Sequence, residues 1–216
     1  MELGEVWAPR GIRLTTPDLE LRPATEEDLP ALVDILPDDL ELDPSATRYA
    51  GLDELANRRA ILVQGYWRAM GGWSPGEWVL PFVVRREGVP VGMQALEGPD
   101  YARDRTVDSW SWLRASARGL GLGKQMRTAV LELAFRHLGA AAAVSSAVVE
   151  NTSSLGVSRS LGYRDTHTSV LDHSGETLQH LRLERSAWLA SGLGRAIEVS
   201  GARAALPFFG LRDERA

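Results

Sequence analysis

The chain has 216 residues, 44% of them hydrophobic, and a formal net charge of −5 at pH 7. That length and apolar content suffice for one domain with a substantial buried core. The acidic balance argues against sequence-independent binding to nucleic acid, and the lack of cysteine excludes disulfides, thiolate metal sites and a cysteine nucleophile. No apolar stretch reaches the roughly 18 residues of a membrane span. Residues 1–9 contain two Glu and no Lys or Arg, unlike a secretory signal, so we expect a cytoplasmic protein.

The first third of the chain alternates strand and helix patterns. Residues 19–23 alternate apolar and polar side chains and predict a short strand. Thr25 is then a predicted helix N-cap with Asp28 three residues later, and Pro37 ends that helix. After a loop, apolar residues recur at helical spacing over residues 52–70 and predict a second helix.

The middle of the chain is rich in β-forming residues. Residues 79–85 and 89–96 flank Arg86-Glu87-Gly88, which predicts a hairpin, and residues 106–113 predict the next strand. Residues 124–138 predict a helix that is too apolar for a surface position. The nearly all-apolar residues 140–149 predict a strand that is buried on both faces inside a sheet.

The last third predicts one more helix and a hairpin. Asn151 is expected to cap a short helix through Ser160. Residues 163–171 and 178–185 flank a polar turn and predict the hairpin. The four histidines do not follow a metal-ligand spacing, so no metal site is expected.

A glycine-rich segment separates the strand at 106–113 from the apolar helix. Residues 118–124 read Arg-Gly-Leu-Gly-Leu-Gly-Lys. The glycines let the backbone turn sharply and approach a ligand, while the helix start adds unpaired amides and the positive end of its dipole. This combination predicts a phosphate cradle. It is neither a Walker loop nor a dinucleotide fingerprint, because Arg118, Lys124 and Gln125 occupy positions that those motifs reserve for other residues.

The segment instead matches Arg-x-x-Gly-x-Gly, through Arg118, Gly121 and Gly123. This pattern resembles the pyrophosphate loop of the GNAT family of N-acetyltransferases, which bind acetyl-CoA. An Asn-x-x-Ser sequence from Asn151 to Ser154 and a Gly-Tyr pair at 162–163 follow in the order found in that family. The resemblance covers roughly residues 19–189 and is closest to the branch with the ribosomal-protein N-terminal acetyltransferases, the Rim-like branch.

The resemblance implies a single α/β domain of the GNAT type. Its central sheet would be mixed, mostly antiparallel, flanked by helices and splayed at the acyl-CoA site. Residues 1–18 would form an N-terminal extension, residues 19–189 the acetyltransferase domain, and residues 190–216 a C-terminal extension. Residues 206–209 (Leu-Pro-Phe-Phe) are too apolar to lie free in water, so we expect the extension to pack on the domain or on the partner subunit of a homodimer.

The resemblance also implies how acetyl-CoA is bound. The backbone near Trp112 and Leu113 would hold the thioester carbonyl and the pantetheine, and Asn151 would contact the pantetheine arm. The glycine segment would hold the pyrophosphate. Its candidate ligands are Arg118, Gly119, Leu120, Gly121, Leu122, Gly123 and Lys124.

Acetyl transfer to an amine needs a base, because an aliphatic ammonium has a pKa of roughly 10. Asp108 falls where many relatives carry Glu, and it is the candidate base, acting through a water because Asp is one methylene shorter. The alternative is an Asp at a strand end that is only solvated or caps a turn. Ser154 is the candidate proton donor to the departing sulfur, with a helix-capping serine as the alternative. Family members often use Tyr for that step, but here Tyr163 matches a structural position.

The sequence therefore predicts an N-acetyltransferase that moves acetyl from acetyl-CoA to a primary amine by direct attack. The acceptor is a small amine or an antibiotic, with a peptide N-terminus as the alternative. A non-catalytic acyl-CoA-binding regulatory domain also fits the pattern.

Three features bear on the acceptor. Between residues 34 and 54, acidic side chains are opposed by Arg48 alone; they would attract a cationic amine or else form a solvated surface. The acids are Asp34, Asp38, Asp39, Glu41, Asp43, Asp53 and Glu54. Trp67, Trp73 and Trp78 are expected to anchor the core or a loop, or to line an aromatic acceptor pocket. His173 lies in the last hairpin, which borders the acceptor site in the family.

Overall fold

The computed structural model describes residues 3–40, 42–43, 46–172 and 174–212. The helices are α1 (Leu3–Val6), α2 (Leu29–Asp34), α3 (Glu54–Gly71), α4 (Tyr101–Asp104), α5 (Leu122–Glu132), α6 (Thr152–Ser160), α7 (Arg185–Ser191) and α8 (Ala202–Ala205). The strands are β1 (Arg13–Thr15), β2 (Glu20–Pro23), β3 (Trp78–Arg86), β4 (Val89–Gly98), β5 (Thr106–Val107), β6 (Ser111–Leu113), β7 (Ala142–Val148), β8 (Arg164–Val170), β9 (Thr177–Glu184) and β10 (Glu198–Ser200). A π-helical turn, Leu133–His137, continues α5.

The strands form two sheets. The larger has the order β10-β1-β2-β3-β4-β6 with antiparallel neighbours, and the smaller has the order β5-β7-β9-β8 with one parallel pair, β5 and β7. Helices cover the sheets, so the predicted α/β fold with a mixed, mostly antiparallel sheet is confirmed. Both predicted hairpins are present as β3–β4 and β8–β9.

Residues 106–113 do not form the single strand that was expected. They form β5, which pairs with β7, and β6, which pairs with β4, so this segment passes from one sheet to the other. Between them, Asp108 makes one isolated bridge with Glu97. The strand is interrupted because its two ends pair with sheets that diverge.

The two sheets therefore part after Asp108. In the described part of the chain, β6 pairs only with β4, and residues 144–148 of β7 pair only with β9. We call the space between β6 and residues 144–148 the intersheet gap. The expected burial of β7 holds at its start but not at its end, where Ser146 is exposed, because β5 lies beside only its first two residues.

Apolar clusters lie on both sides of the larger sheet. The main core surrounds α5, whose residues from Met126 to Glu132 are all buried, as its apolar sequence predicted. A second cluster lies between α2, α3 and the sheet, and it contains Leu32, Tyr66, Met93 and Trp112. The sheet thus separates an α5 side from an α3 side.

Asp28 fixes the start of α2 on the α3 side. Its carboxylate accepts a hydrogen bond from the Thr25 amide (2.9 Å) and pairs with Arg22 (2.6 Å) and Arg85 (3.0 Å). Burial would raise the pKa of Asp28, but the two guanidinium groups and the Thr25 donors outweigh it and hold that pKa below its usual value. The expected Thr25 cap is confirmed as a reciprocal capping box with Asp28.

Both ends of the chain contribute to the larger sheet. β1 pairs with β2 on one side and with β10 on the other. Phe209 is buried against Trp78, with ring centroids 4.8 Å apart, and the Trp73 indole donates to the Phe208 carbonyl at 2.9 Å. The tail thus packs on the rest of the chain through Phe209 and Leu211, while the boundaries after residues 18 and 189 stay predictions.

Candidate active site

The glycine segment leads from β6 into α5. Gly119 and Gly121 have φ values of +75° and +76°, the left-handed region that glycine adopts without strain. The helix starts at Leu122, two residues before the expected start. Within the described residues, the Leu122 and Gly123 amides have no backbone acceptor, as expected for the first turn of a helix.

Free space adjoins these amides. A Cβ added at Gly119, Gly121 or Gly123 would meet no atom within 4 Å. Lys124 is exposed beside them, whereas the Leu122 side chain is buried in the core, so Leu122 can offer only its backbone amide. Open space, free amides and a cation at a helix start suit a phosphate group.

Gln125 anchors the first turn of α5 to the β1–β2 turn. Its carbonyl oxygen accepts from Thr16 Oγ1 (2.7 Å) and from the Asp18 amide (3.2 Å). Its amide nitrogen donates to Asp18 Oδ2 at 2.6 Å. Sequence reasoning considered Gln125 only as a mismatch to the Walker motif and missed this role.

Arg118 connects the glycine segment to the acidic stretch after α2. Its guanidinium pairs with both carboxylate oxygens of Asp39, at 2.6 and 2.7 Å, and its Nε donates to the Leu113 carbonyl at 3.0 Å. The hydrogen bonds and charge of Arg118 hold the pKa of Asp39 below its usual value. Trp112 pairs with Met93 and packs its side chain on the α3 side. Trp112 and Leu113 therefore border the gap through their backbone.

Asn151 and Ser154 lie at the same edge of the molecule as the glycine segment. β5 and β7 are parallel, so the chain leaves both toward that edge, where α5 and α6 begin. Asn151 Oδ1 accepts from the Ser154 amide at 3.0 Å, which confirms the expected cap. Ser154 is half-buried.

Asp108 lies where the sheets part, directly opposite Glu97. The two residues exchange backbone hydrogen bonds of 2.8 and 2.9 Å, and directly opposed residues of an antiparallel pair project to the same face. Burial raises the pKa of Asp108, against the lowering effects of the Ser109 amide, Arg127 and His180. Burial also raises the pKa of Glu97, with a further contribution from the charge of Asp108.

Glu97 was not found by sequence reasoning. It lies one residue beyond the strand predicted at 89–96, and only the register of β4 against residues 108–113 reveals its position. The indole Nε1 of Trp110 donates to its carboxylate. The structure therefore adds a second carboxylate beside the expected one.

A cavity of about 580 Å³ lies on the α3 side, and Glu97 lines it. Its walls come from α3, β3, β4, β6 and the loop after α2. Most lining residues are apolar or aromatic, including Leu62, Tyr66, Trp78, Met93, Trp110 and Trp112, and the charged ones besides Glu97 are Asp43, Arg68 and Glu77. Of the three tryptophans considered for an acceptor pocket, only Trp78 lines the cavity. Trp73 packs against the tail, and Trp67 donates to Glu26 at 3.1 Å.

The acidic stretch is partly neutralised by ion pairs. Besides the Asp39–Arg118 pair, Glu54 contacts Arg48 at 2.7 Å, and Asp43 lies 3.9 Å from Arg68. Glu41 and His173 lie outside the described residues. Across the part of the chain that the structure describes, no three His, Asp or Glu side chains are placed to hold a metal ion, and no helix is long and apolar enough to cross a membrane.

The fold and the site thus combine two sheets that part beside an amide-lined glycine turn with a pair of carboxylates at the junction. A protein-family model described as "Acetyltransferase (GNAT) domain" matches residues 18–164. The chain belongs to the GNAT family of acetyltransferases. The predicted family and the predicted enzyme class, an acyltransferase, are confirmed.

Solved structures of Rim proteins share the fold. Mycobacterium smegmatis RimJ in complex with a CoA disulfide is 20% identical, with a TM-score of 0.64 over 88% of this chain and 98% of its own. RimL, a ribosomal L7/L12 α-N-protein acetyltransferase in complex with coenzyme A, is 16% identical, with a TM-score of 0.61 over 80% and 97%. A spermidine N-acetyltransferase SpeG chimera from Vibrio cholerae and hSSAT is 15% identical, with a TM-score of 0.61 over 80% and 98%. Because these identities are 20% or lower, the similarity establishes the shared fold and not a shared acceptor.

Proposed function

We propose that the protein transfers the acetyl group of acetyl-CoA to the primary amine of a small molecule by direct attack. The position of Asp108 carries this proposal. It lies at the junction of the two sheets, in the segment that leads to the glycine turn, and opposite Glu97 in the cavity wall. A base at this point has the cosubstrate gap on one side and the acceptor cavity on the other.

The glycine segment fits the pyrophosphate of coenzyme A. The amides of Leu122 and Gly123 are available, the glycines leave room, and Lys124 adds a positive charge. The backbone of Trp112 and Leu113 borders the gap in which the pantetheine arm would lie, and Asn151, three residues after β7, would contact that arm. Acetyl-CoA supplies an activated acetyl group at this place, and solved structures of RimJ and RimL hold coenzyme A or its disulfide.

Asp108 and Ser154 carry the proton transfers in this proposal. Asp108 accepts a proton from the amine, through a water, as the new N–C bond forms. The thioester C–S bond breaks, and the Ser154 hydroxyl donates a proton to the departing thiolate. Asp108 returns its proton to solvent and Ser154 recovers one, so the enzyme is regenerated.

Replacement of the base tests the proposal. Asp108→Asn removes proton acceptance with little change of shape, so kcat should fall by about 100-fold at neutral pH. The loss should shrink at high pH, where free amine is abundant. Because burial raises the pKa of Asp108 above its usual value of 3.8, the acid limb of the wild-type kcat/KM profile should lie above pH 3.8 and vanish in the variant.

Asp104→Asn is the matched control. Asp104 is an exposed carboxylate four residues earlier that pairs with Arg103 at 2.7 Å, and its replacement should leave kcat unchanged. A wild-type pH profile in Asp108→Asn would reduce Asp108 to a structural residue. Binding of acetyl-CoA without turnover of any amine would favour the non-catalytic regulatory domain.

The second candidate function is acetylation of a protein N-terminus. The fold shared with RimJ and with RimL, an α-N-protein acetyltransferase, supports it. Turnover of short peptides in preference to small amines, measured with acetyl-CoA at the same concentration, would select this function. The base and the cosubstrate site would be the same for both acceptors.

A further inference from the structure

The α3-side cavity is built for an apolar body. α3 contributes Ile61, Leu62 and Tyr66 to its wall, while β4 and β6 contribute Met93 and Trp112. A volume of about 580 Å³ is in the range that encloses one small organic molecule. Aromatic walls favour ligands that present matching apolar surface. The other charged residues of the lining, Asp43, Arg68 and Glu77, are exposed, and Asp43 lies 3.9 Å from Arg68. A further ammonium of a polyamine placed between the apolar walls would therefore lose its hydration.

Among the described lining residues, Glu97 is the one carboxylate that is not exposed. Glu97 is partly buried and accepts from the Trp110 indole, and no Lys or Arg of the described residues forms an ion pair with it. A carboxylate that is withdrawn from water is stabilised by an opposite charge. Trp110 also lines the cavity next to it, and an indole face attracts an ammonium group. The ammonium group of a bound amine would supply that opposite charge.

We propose that the acceptor is an amphiphilic amine, with one aliphatic ammonium on an aromatic or branched apolar body, and that Glu97 receives the ammonium. This inference rests on the proposed function and specifies the acceptor for the same site. Asp108 projects from the opposing strand to the same face as Glu97, so an ammonium held at Glu97 is close to the base. Glu97 is the positioning residue, and Asp108 takes the proton.

A binding comparison tests Glu97 without turnover. Phenethylamine and 2-phenylethanol have the same body and differ in the charged group, so their affinities are measured by calorimetry in the presence of coenzyme A. Wild-type protein should bind the amine at least about tenfold more tightly, and Glu97→Gln should remove this preference while it still binds the alcohol. Glu198→Gln, an exposed carboxylate on β10, should retain the preference. Equal preference in wild type and Glu97→Gln would overturn the inference.

A cavity-filling variant tests the apolar body. Gly65 lines the cavity, and a Cβ there would meet no atom within 4 Å. Gly65→Leu should reduce kcat/KM for phenethylamine by about tenfold or more, because a hydrophobic pocket is sensitive to lost volume, and should change the value for propylamine by less than about twofold. Gly71→Leu, in the same helix outside the cavity wall, should leave both values unchanged. An equal loss for both amines, or none for phenethylamine, would contradict the inference.

A substrate panel separates this inference from the proposed function. Phenethylamine should have a kcat/KM at least about tenfold above those of spermidine and of short peptides that begin with Ser or Ala. A preference for spermidine or a peptide would overturn the inference while the acetyltransferase stands. If no amine is turned over, the proposed function fails, and the two-ligand binding comparison still decides whether Glu97 receives an ammonium.

Discussion

The intersheet gap and the α3-side cavity lie beside the same segment, residues 106–113, but they are built differently. The gap is bordered by backbone: free amides at the start of α5, two left-handed glycines and the exposed edge of β6. The cavity is walled by residues of α3, β3, β4, β6 and the loop after α2, with the half-buried Glu97 among aromatic rings. A backbone site suits a cosubstrate that never changes, whereas a side-chain site can be adapted to one acceptor by substitution.

The largest expected effect is on the backbone site. Gly123 has a φ outside the left-handed region, so Gly123→Val adds methyl groups to the free space without the strain that Gly121→Val would add at φ +76°. We expect acetyl-CoA affinity to fall by roughly 100-fold, or about 2.7 kcal/mol, by calorimetry. Gly71→Val is the control for the loss of a helical glycine. Unchanged affinity would place the pyrophosphate elsewhere, and the contrast between the two sites would disappear.

A second prediction concerns a substitution that lowers stability on the α3 side of the sheet. Asp28→Asn leaves Arg22 and Arg85 without their carboxylate, and because both are partly exposed we expect a loss of about 2–3 kcal/mol in the free energy of unfolding in urea. The pKa of Asp28 is below its usual value of 3.8. Its contribution is therefore present above pH 3.8 and is lost as pH falls through the lower folded-state pKa. The exposed Asp34→Asn should change stability by less than about 0.5 kcal/mol, and an equal effect of both variants would contradict this account.

A third prediction concerns the role of the Ser154 hydroxyl, at the start of α6. Ser154→Ala should lower kcat by about tenfold and leave acetyl-CoA affinity unchanged, because the hydroxyl is expected to act on the leaving group and the Asn151 cap uses only the Ser154 amide. Ser153→Ala replaces the exposed neighbouring hydroxyl and should have no effect on kcat. A loss of affinity with an unchanged kcat would make Ser154 a binding residue.

The smallest expected effect concerns the ion pair that joins the glycine segment to the loop after α2. Asp39→Asn frees the Arg118 guanidinium for the pyrophosphate, so acetyl-CoA should bind about two- to fivefold more tightly at low salt and equally at high salt. The isosteric exposed replacement Asp38→Asn should leave affinity unchanged. Weaker binding by Asp39→Asn would mean that Asp39 orders the glycine segment instead of competing for Arg118.

The sequence predicted what is local and missed what depends on distant pairings. The glycine turn, α5, the Asn151 cap and both hairpins follow from residue types at short spacing. The interruption at 108–110 does not, because it results from β5 and β6 pairing with different sheets. Strands β1 and β10 were missed because each is only three residues long. They pair with each other although they lie near opposite ends of the sequence.

The residues of the candidate site were likewise predicted where their signal is local and missed where it depends on a distant partner. The family pattern gives the residues of the glycine turn, and the structure shows where each lies. Glu97 and the Asp39–Arg118 pair carry no local signature, since each is defined by a partner 11 or 79 residues away. A cavity walled by four elements is equally invisible in the sequence until their register is known.

Trp78 has consequences for how this protein can vary. Trp78 is a lining residue of the α3-side cavity through its place in β3, while its indole lies in the main core and packs on Phe209 of the tail. A substitution in residues 202–209 that shifts Phe209 would move the cavity wall although no tail residue lines the cavity. The tail and the acceptor specificity are therefore expected to diversify together, and a chimera that exchanges only one of them between related enzymes would inherit a mismatched wall.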